Sequence, residues 1–243
     1  MKRLMLLTVL ATLGLTGTAL ASNPVSDLAR TGKDHSSSTN WSGYAAYNST
    51  FSDVKGDFIV PTANCSGLKR NQITIASPWV GLDGYFSSTV EQTGVDVECL
   101  GANNPAYVAW YEFYPAGSQN LSNPVQAGDH MRVEVAQAGN TVTTTLQNLT
   151  SPRTWTSSHS QSANGLAFSS AEWIMEAPTQ TLTNFGTVSF SNSAATDGSH
   201  SNAAISAFTN DAITMVSKNG RTIRATPGSL SNGTAFQVQF NHG

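Results

Sequence analysis

Glutamate is scarce in this chain, and its few positions limit the chemistry available. Beyond residue 21 there are six: Glu91, Glu98, Glu112, Glu134, Glu172 and Glu176. Glu134 sits between Val133 and Val135, which share a face with Met131, and reads as a solvent-facing strand residue. Glu112 lies inside Trp110-Tyr111-Glu112-Phe113-Tyr114-Pro115, and Glu176 ends Ala171-Glu172-Trp173-Ile174-Met175-Glu176. A carboxylate among aromatic strand residues is costly to bury unless it is hydrogen-bonded or put to use. Glu172 and Glu176 would share a strand face ~13 Å apart at ~3.3 Å per residue. That is too far for an acid/base pair, so any partner of Glu176 must come from another strand.

Other hydrolytic chemistries lack their residues. There is no G-x-S-x-G elbow, and the five histidines (35, 130, 159, 200 and 242) form no metal-ligand spacing. An aspartic peptidase needs two D-T/S-G loops. The nearest text is Gln92-Thr93-Gly94, with an amide in place of the carboxylate. No metal or cofactor is therefore expected. The formal net charge is −3 with no basic cluster, which argues against nucleic acid. Charged residues are 11% of the chain, while Ser, Thr and Asn supply 77 of 243 residues. Such a surface gains little repulsive charge in acid, and it is equally the composition of an ordinary secreted β-protein.

The elements that must position these groups are strands. Met1-Lys2-Arg3, the apolar run Leu4 to Leu15 and Ala19-Leu20-Ala21 have the pattern of a signal peptide over residues 1–21, which predicts a secreted, extracellular protein. The apolar run is too short for a membrane span, and no later stretch approaches ~20 apolar residues. In an exported chain the two cysteines, Cys65 and Cys99, are expected to form a disulfide. Residues 22–39 are polar and read as a flexible leader or short pro-segment, leaving 40–243 as one domain. Alternation marks strands at 130–135, 188–190 and 236–240, with further candidates at 55–61, 73–80, 90–98, 107–114, 141–146, 172–176 and 212–216. Gly, Asn and Pro turn signals fall between them, and no helical period exceeds two turns. The fold class is all-β, an antiparallel two-sheet β-sandwich or jelly roll.

Several segments carry a resemblance in order: Asn40-Trp41-Ser42-Gly43-Tyr44, 54–61, Trp79-Val80-Gly81-Leu82-Asp83-Gly84, Gln92-Thr93-Gly94-Val95-Asp96, 110–115, Asn148-Leu149-Thr150, 171–176 and 185–190. Together they resemble the glutamic peptidases (eqolisins, family G1), which are secreted acid endopeptidases. The resemblance implies a concanavalin A-like lectin/glucanase sandwich with the active site on a concave sheet face. It implies Gln92 and Glu176 as the catalytic pair, with Trp41, Trp79, Asp83, Asp96, Trp110, Glu112 and Tyr114 lining the substrate cleft. It further implies protein or peptide substrates, no cofactor and a monomer. Asp83 and Asp96 could equally be turn residues, and Glu112 could orient water or the Gln92 amide. Ala177-Pro178 follow Glu176 where fungal members have an acidic residue and an aromatic, so one wall of the cleft differs.

The chemistry is coherent without the family. A carboxylate such as Glu176 is an effective base for water in acid, and a Gln amide can donate to a developing oxyanion. Two rivals use the same residues. A jelly-roll glycoside hydrolase would pair Glu112 with Glu176 in an aromatic groove, and a non-catalytic carbohydrate-binding sandwich would only stack sugars on the tryptophans. The peptidase reading predicts casein hydrolysis that is maximal below about pH 5 and insensitive to EDTA. A maximum at pH 7–8, or loss of activity with EDTA, would contradict it.

Overall fold

The computed structural model describes residues 29–32 and 35–243. In chain order its strands are β1 (Ala29–Gly32), β2 (His35–Ser38), β3 (Trp41–Tyr47), β4 (Phe51–Ile59), β5 (Ile73–Leu82), β6 (Val90–Leu100), β7 (Pro105–Tyr114) and β8 (Gln119–Asn120). They continue with β9 (His130–Ala138), β10 (Thr141–Asn148), β11 (Trp155–Ser162), β12 (Ser170–Glu176) and β13 (Thr187–Asp197). The last are β14 (Ala203–Ala204), β15 (Asn210–Val216), β16 (Ile223–Pro227) and β17 (Phe236–Phe240). Among the described residues the only helical segment is a 3₁₀ turn at Ile205–Ala207.

Two layers result. The front layer runs β2-β15-β3-β12-β5-β6-β7-β8, antiparallel throughout except for the parallel β2–β15 pair. The back layer runs β17-β13-β4-β9-β10-β11, all antiparallel. At one edge β16 pairs with both β15 and β17, joining the layers into a continuous sheet. Between them lies the main core, with Val80, Leu82, Val95, Val97, Trp173 and Met175 from the front and Phe58, Met131, Val133, Val135, Leu146 and Phe190 from the back.

The two layers bury their residues differently. Back-layer strands alternate, as in β10, where every second residue from Val142 to Asn148 is buried. Every residue of β3 and β12 is buried. A second apolar cluster (Trp41, Ala45, Tyr47, Trp79, Tyr85, Val90, Trp110, Ile174 and Ile213) explains this, because it covers the outer face of the front layer. A sheet packed on both faces loses the polar half of its alternation. In β12 Ala171, Trp173 and Met175 point into the main core, and Ile174 joins the outer cluster.

The sandwich agrees with the sequence reading, and ten strands fall on segments expected from it; β3, β8, β14 and β16 were not among them. β11 (WTSSHSQS) was not foreseen. Its burial alternates only between half-buried and exposed, because it is an edge strand on β10. The polar leader also departs from expectation. Residues 29–32 and 35–38 are strands that pair with each other, and β2 adds to the edge of β15. Backbone pairing needs no apolar side chains, and Ser36 further donates to the buried Asp211 carboxylate of β15. The signal-peptide segment lies outside the described residues.

Cys65 and Cys99 form a disulfide that ties the β4–β5 connection to the end of β6 across a separation of 34 residues. In the chain-entropy view a loop of that length is worth about 4 kcal/mol. Replacing both cysteines with serine is expected to lower the unfolding free energy by about that amount in urea titrations. A change below ~1 kcal/mol would show that the bridge is energetically idle.

Candidate active site

The outer face of the front layer collects most of the residues singled out in the sequence. The register sets three rows across it. Trp41, Glu176 and Ser77 are cross-strand partners on β3, β12 and β5. Gly43, Ile174, Trp79, Gly94 and Trp110 form the next row across five strands. Ala45, Glu172, Gly81, Gln92 and Glu112 form the third. Glu176 and Gln92 therefore lie two strands apart and two same-face steps along, with Trp79 in the row between them.

Each of the two is held by its own partners. Glu176 Oε2 accepts from Trp79 Nε1 at 2.8 Å, and Oε1 accepts from Asn40 Nδ2 at 3.3 Å. Two donors stabilise negative charge on this carboxylate. Gln92 Nε2 donates to Glu112 Oε2 at 2.8 Å, while Gln92 Oε1 has no hydrogen-bond partner among the described residues. An amide nitrogen carries two hydrogens, so this contact fixes the group and leaves one N–H and the carbonyl oxygen for other use. Gly81 makes room for this arrangement. A Cβ there would stand 2.9 Å from Gln92 Cβ, 2.9 Å from the Glu91 carbonyl oxygen and 3.1 Å from the Trp79 ring.

Three fully buried tryptophans pack around this pair. Trp41 meets Trp79 edge-on with centroids 4.9 Å apart. Trp110 Nε1 donates to Ser77 Oγ at 3.2 Å, and Ser77 Oγ donates to Asp96 Oδ1 at 2.7 Å. Asp96 is thus a buried support beneath the Glu176 row, while Tyr114 packs on the rim of the aromatic cluster. Of the two roles open to Asp83, the structure displays the tie. Its oxygens accept from the backbone N–H groups of Ala167, Phe168 and Ser169 at 2.7–3.2 Å and from Ser169 Oγ at 3.0 Å, anchoring the approach to β12. Asn40 and Ser77 were not read from the sequence as site residues. The signal for Asn40 was its place immediately before Trp41, which the register sets opposite Glu176. Among the described residues no cluster of three or more His, Cys, Asp or Glu is arranged to hold a metal ion.

Comparison with known proteins bears on the family and the fold. The sequence model of the Peptidase A4 family matches residues 39–240. Aspergillopepsin-2 of Aspergillus niger is 32% identical over 185 residues, covering 66% of this chain and 65% of that protein. Scytalidopepsin B of Scytalidium lignicola is 32% identical over 148 residues, covering 59% of this chain and 54% of its own. The chain thus spans somewhat less than two thirds of the length of these relatives. Scytalido-glutamic peptidase, solved with a peptide-based transition-state analogue, superposes with a TM-score of 0.68 at 24% identity over 84% of this chain and 98% of the other. A member of the eqolisin family in complex with the tripeptide Ala-Ile-His gives a TM-score of 0.66 at 23% identity, with the same coverage. At these identities the structures speak for the fold.

Several buried carboxylates of the front layer resist ionisation. Burial, reinforced by the charge on Asp83, pushes Glu91 up to about 8. Burial does the same to Asp96, also to about 8; the Ser77 hydrogen bond opposes it, and charges on Glu98 and Glu176 add to it. Burial raises Glu98 as well, and it raises Glu172 well above the usual carboxylate range with help from Asp83 and Glu91. Contacts from the Ser170 side chain and the Tyr85 backbone oppose the rise of Glu172 without overcoming it. In the back layer Asp57 and Asp129 behave oppositely. Burial opposes their charge, but hydrogen bonds from Arg132, Asn192 and His130, and from Arg153 and Asn148, outweigh it and lower both.

These signs fix a pH profile for stability. A carboxyl whose folded pKa is raised binds its proton more tightly when folded, so its contribution is complete below about pH 4 and is lost as pH rises toward about 8. Asp57 and Asp129 contribute above about pH 4 and lose that contribution as acid protonates them. Urea midpoints are therefore expected to peak near about pH 4–5 and fall toward pH 8, and Glu172→Gln should flatten the fall. A maximum at or above pH 7 would contradict this assignment.

Proposed function

The chain belongs to the Peptidase A4 family, the glutamic peptidases, and from that premise we propose that it is a secreted endopeptidase working in acid on protein or peptide substrates, with Glu176 as general base and Gln92 as oxyanion donor. One observation carries the reading: Glu176 and Gln92 lie on one sheet face, Glu176 held by Trp79 and Asn40 and Gln92 by Glu112, with the Gln92 carbonyl oxygen left unbonded among the described residues. Ionised Glu176 takes a proton from water while the water oxygen bonds to the scissile carbonyl carbon. Negative charge then develops on the carbonyl oxygen, where the N–H of Gln92 not used by Glu112 can donate. The Gln92 carbonyl oxygen can accept from the attacking water. The proton now on Glu176 passes to the amide nitrogen as the C–N bond breaks, releasing an acid and an amine.

Asn40 and Trp79 hold the base and favour its charged form, and Glu112 orients the amide. The glycosidase alternative needs Glu112 as its second carboxylate, whereas Glu112 here accepts from Gln92. A casein assay beside xylan and β-glucan assays at about pH 4 separates the readings. Glu176→Gln is expected to abolish casein cleavage with the fold intact, because an amide takes no proton from water. Glu172→Gln should retain activity, since this variant replaces a neutral buried acid by its neutral isostere. Equal losses in both variants would refute Glu176 as the single base, and sugar hydrolysis without casein cleavage would refute the peptidase reading.

A further inference from the structure

Beside Glu176 the molecule opens into a cavity of about 720 Å³. Asn40, which donates to Glu176 Oε1, is part of its wall, and so is Ala177, whose N–H bonds the Asn40 carbonyl at 2.8 Å. Ala177 and Pro178, which directly follow Glu176 at the end of β12, are in this wall, so base and cavity adjoin along the chain. The cavity's charge is unusual for so acidic a protein. Lys218, Arg224 and His242 line it with no Asp or Glu, the one anionic group in the wall being the terminal carboxylate of Gly243.

Arg224 is the distinctive group. Arg132 and Arg153 each pair with a buried aspartate, Asp57 and Asp129, yet both arginines are far more exposed than Arg224. Arg224 is only 8% exposed and forms no ion pair among the described residues. Its Nη2 donates to the Gln180 carbonyl at 3.0 Å and its Nη1 to the Thr39 carbonyl at 3.4 Å. These neutral contacts hold the guanidinium at the cavity wall and use only part of its five-donor fork. Burial pulls the Arg224 pKa down. A guanidinium held this way is matched by a carboxylate, which it can bind through two parallel hydrogen bonds.

Resting on the peptidase reading, we propose that this cavity is a substrate subsite for a carboxylate, with Arg224 as its main determinant and Lys218 adding to the field. The carboxylate is an Asp or Glu side chain near the cleaved bond, or the free terminus of a short peptide. Ala177 and Pro178, small or lacking an N–H where a larger side chain would fill the space, keep the cavity open next to the base.

The test is a set of peptides sharing one scissile pair. Each flanking position carries Glu or its isostere Gln, and a parallel pair ends in a free or an amidated terminus. At about pH 5 peptide carboxylates are largely ionised. There, one Glu position, or the free terminus, is expected to raise kcat/KM about tenfold over its neutral counterpart, and which pair responds identifies the source. In Arg224→Gln that ratio should fall toward one, and in Lys218→Gln it should fall part of the way. Because each ratio is taken within one enzyme, loss of folded protein cancels. Cleavage of every neutral peptide with no acidic preference would overturn the subsite while leaving the peptidase reading intact. An acidic preference that survives in both variants would also overturn it. Failure to cleave any peptide would overturn the peptidase reading itself.

Discussion

The constraint on which the site depends is the register of the antiparallel pairs joining β12, β5, β6 and β7. Side chains alternate faces with a period of two, so a slip of one residue in any pair would send Glu176 or Gln92 toward Val80 and Trp173 in the core. The register is fixed from both faces. Trp173 and Met175 of β12 must pack inward while Ile174 packs outward, and Val80 and Trp79 of β5 divide in the same way. Large apolar groups on both sides make any slip costly by several buried side chains at ~1.5–3 kcal/mol each. The register then carries the polar residues between them to one face, where Glu176 and Gln92 meet their own hydrogen-bond partners.

On that face the surroundings, and not the residue type, separate one carboxylate from the next. Glu176 receives Trp79 and Asn40 as donors, whereas burial drives Glu172, two residues of the same face away, toward its neutral form against weaker hydrogen bonding from Ser170 and the Tyr85 backbone. Two glutamates on one strand thus meet different surroundings, and only for Glu172 does burial clearly favour the protonated form. The cost of keeping Glu91, Asp96 and Glu172 buried is small only in acid, where they are protonated. The pH at which a carboxylate base would operate is thus the pH at which the sheet beneath it is best tolerated.

Much of this was legible in the sequence. β9, the start of β13 and β17 announce themselves by alternation because one of their faces meets solvent. Glu112 and Glu176 stood out because charge is rare among aromatics, and Gln92 through the ordered segments around it. What escaped had weak local signals. β11 is polar on both faces, and β2 owes its place to backbone pairing and one serine on Asp211. Asn40 and Ser77 matter through contacts made across strands, Asn40 with Glu176 and Ser77 with Asp96 and Trp110, which only the register reveals. Asp83 sits in a family-like segment, yet its carboxylate is taken up by three backbone N–H groups 84–86 residues later, a distance no sequence pattern expresses.

The central claim is that a neutral amide, oriented by one carboxylate, stabilises the transition state while a second carboxylate moves the proton. Steady-state kinetics of Gln92→Ala on an acid-denatured protein substrate test it most directly. An oxyanion donor acts more strongly in the transition state than in the ground state. The account therefore predicts a ~10²–10³-fold fall in kcat with KM little changed. Near-normal kcat in that variant, with activity lost instead in Glu112→Gln, would contradict it.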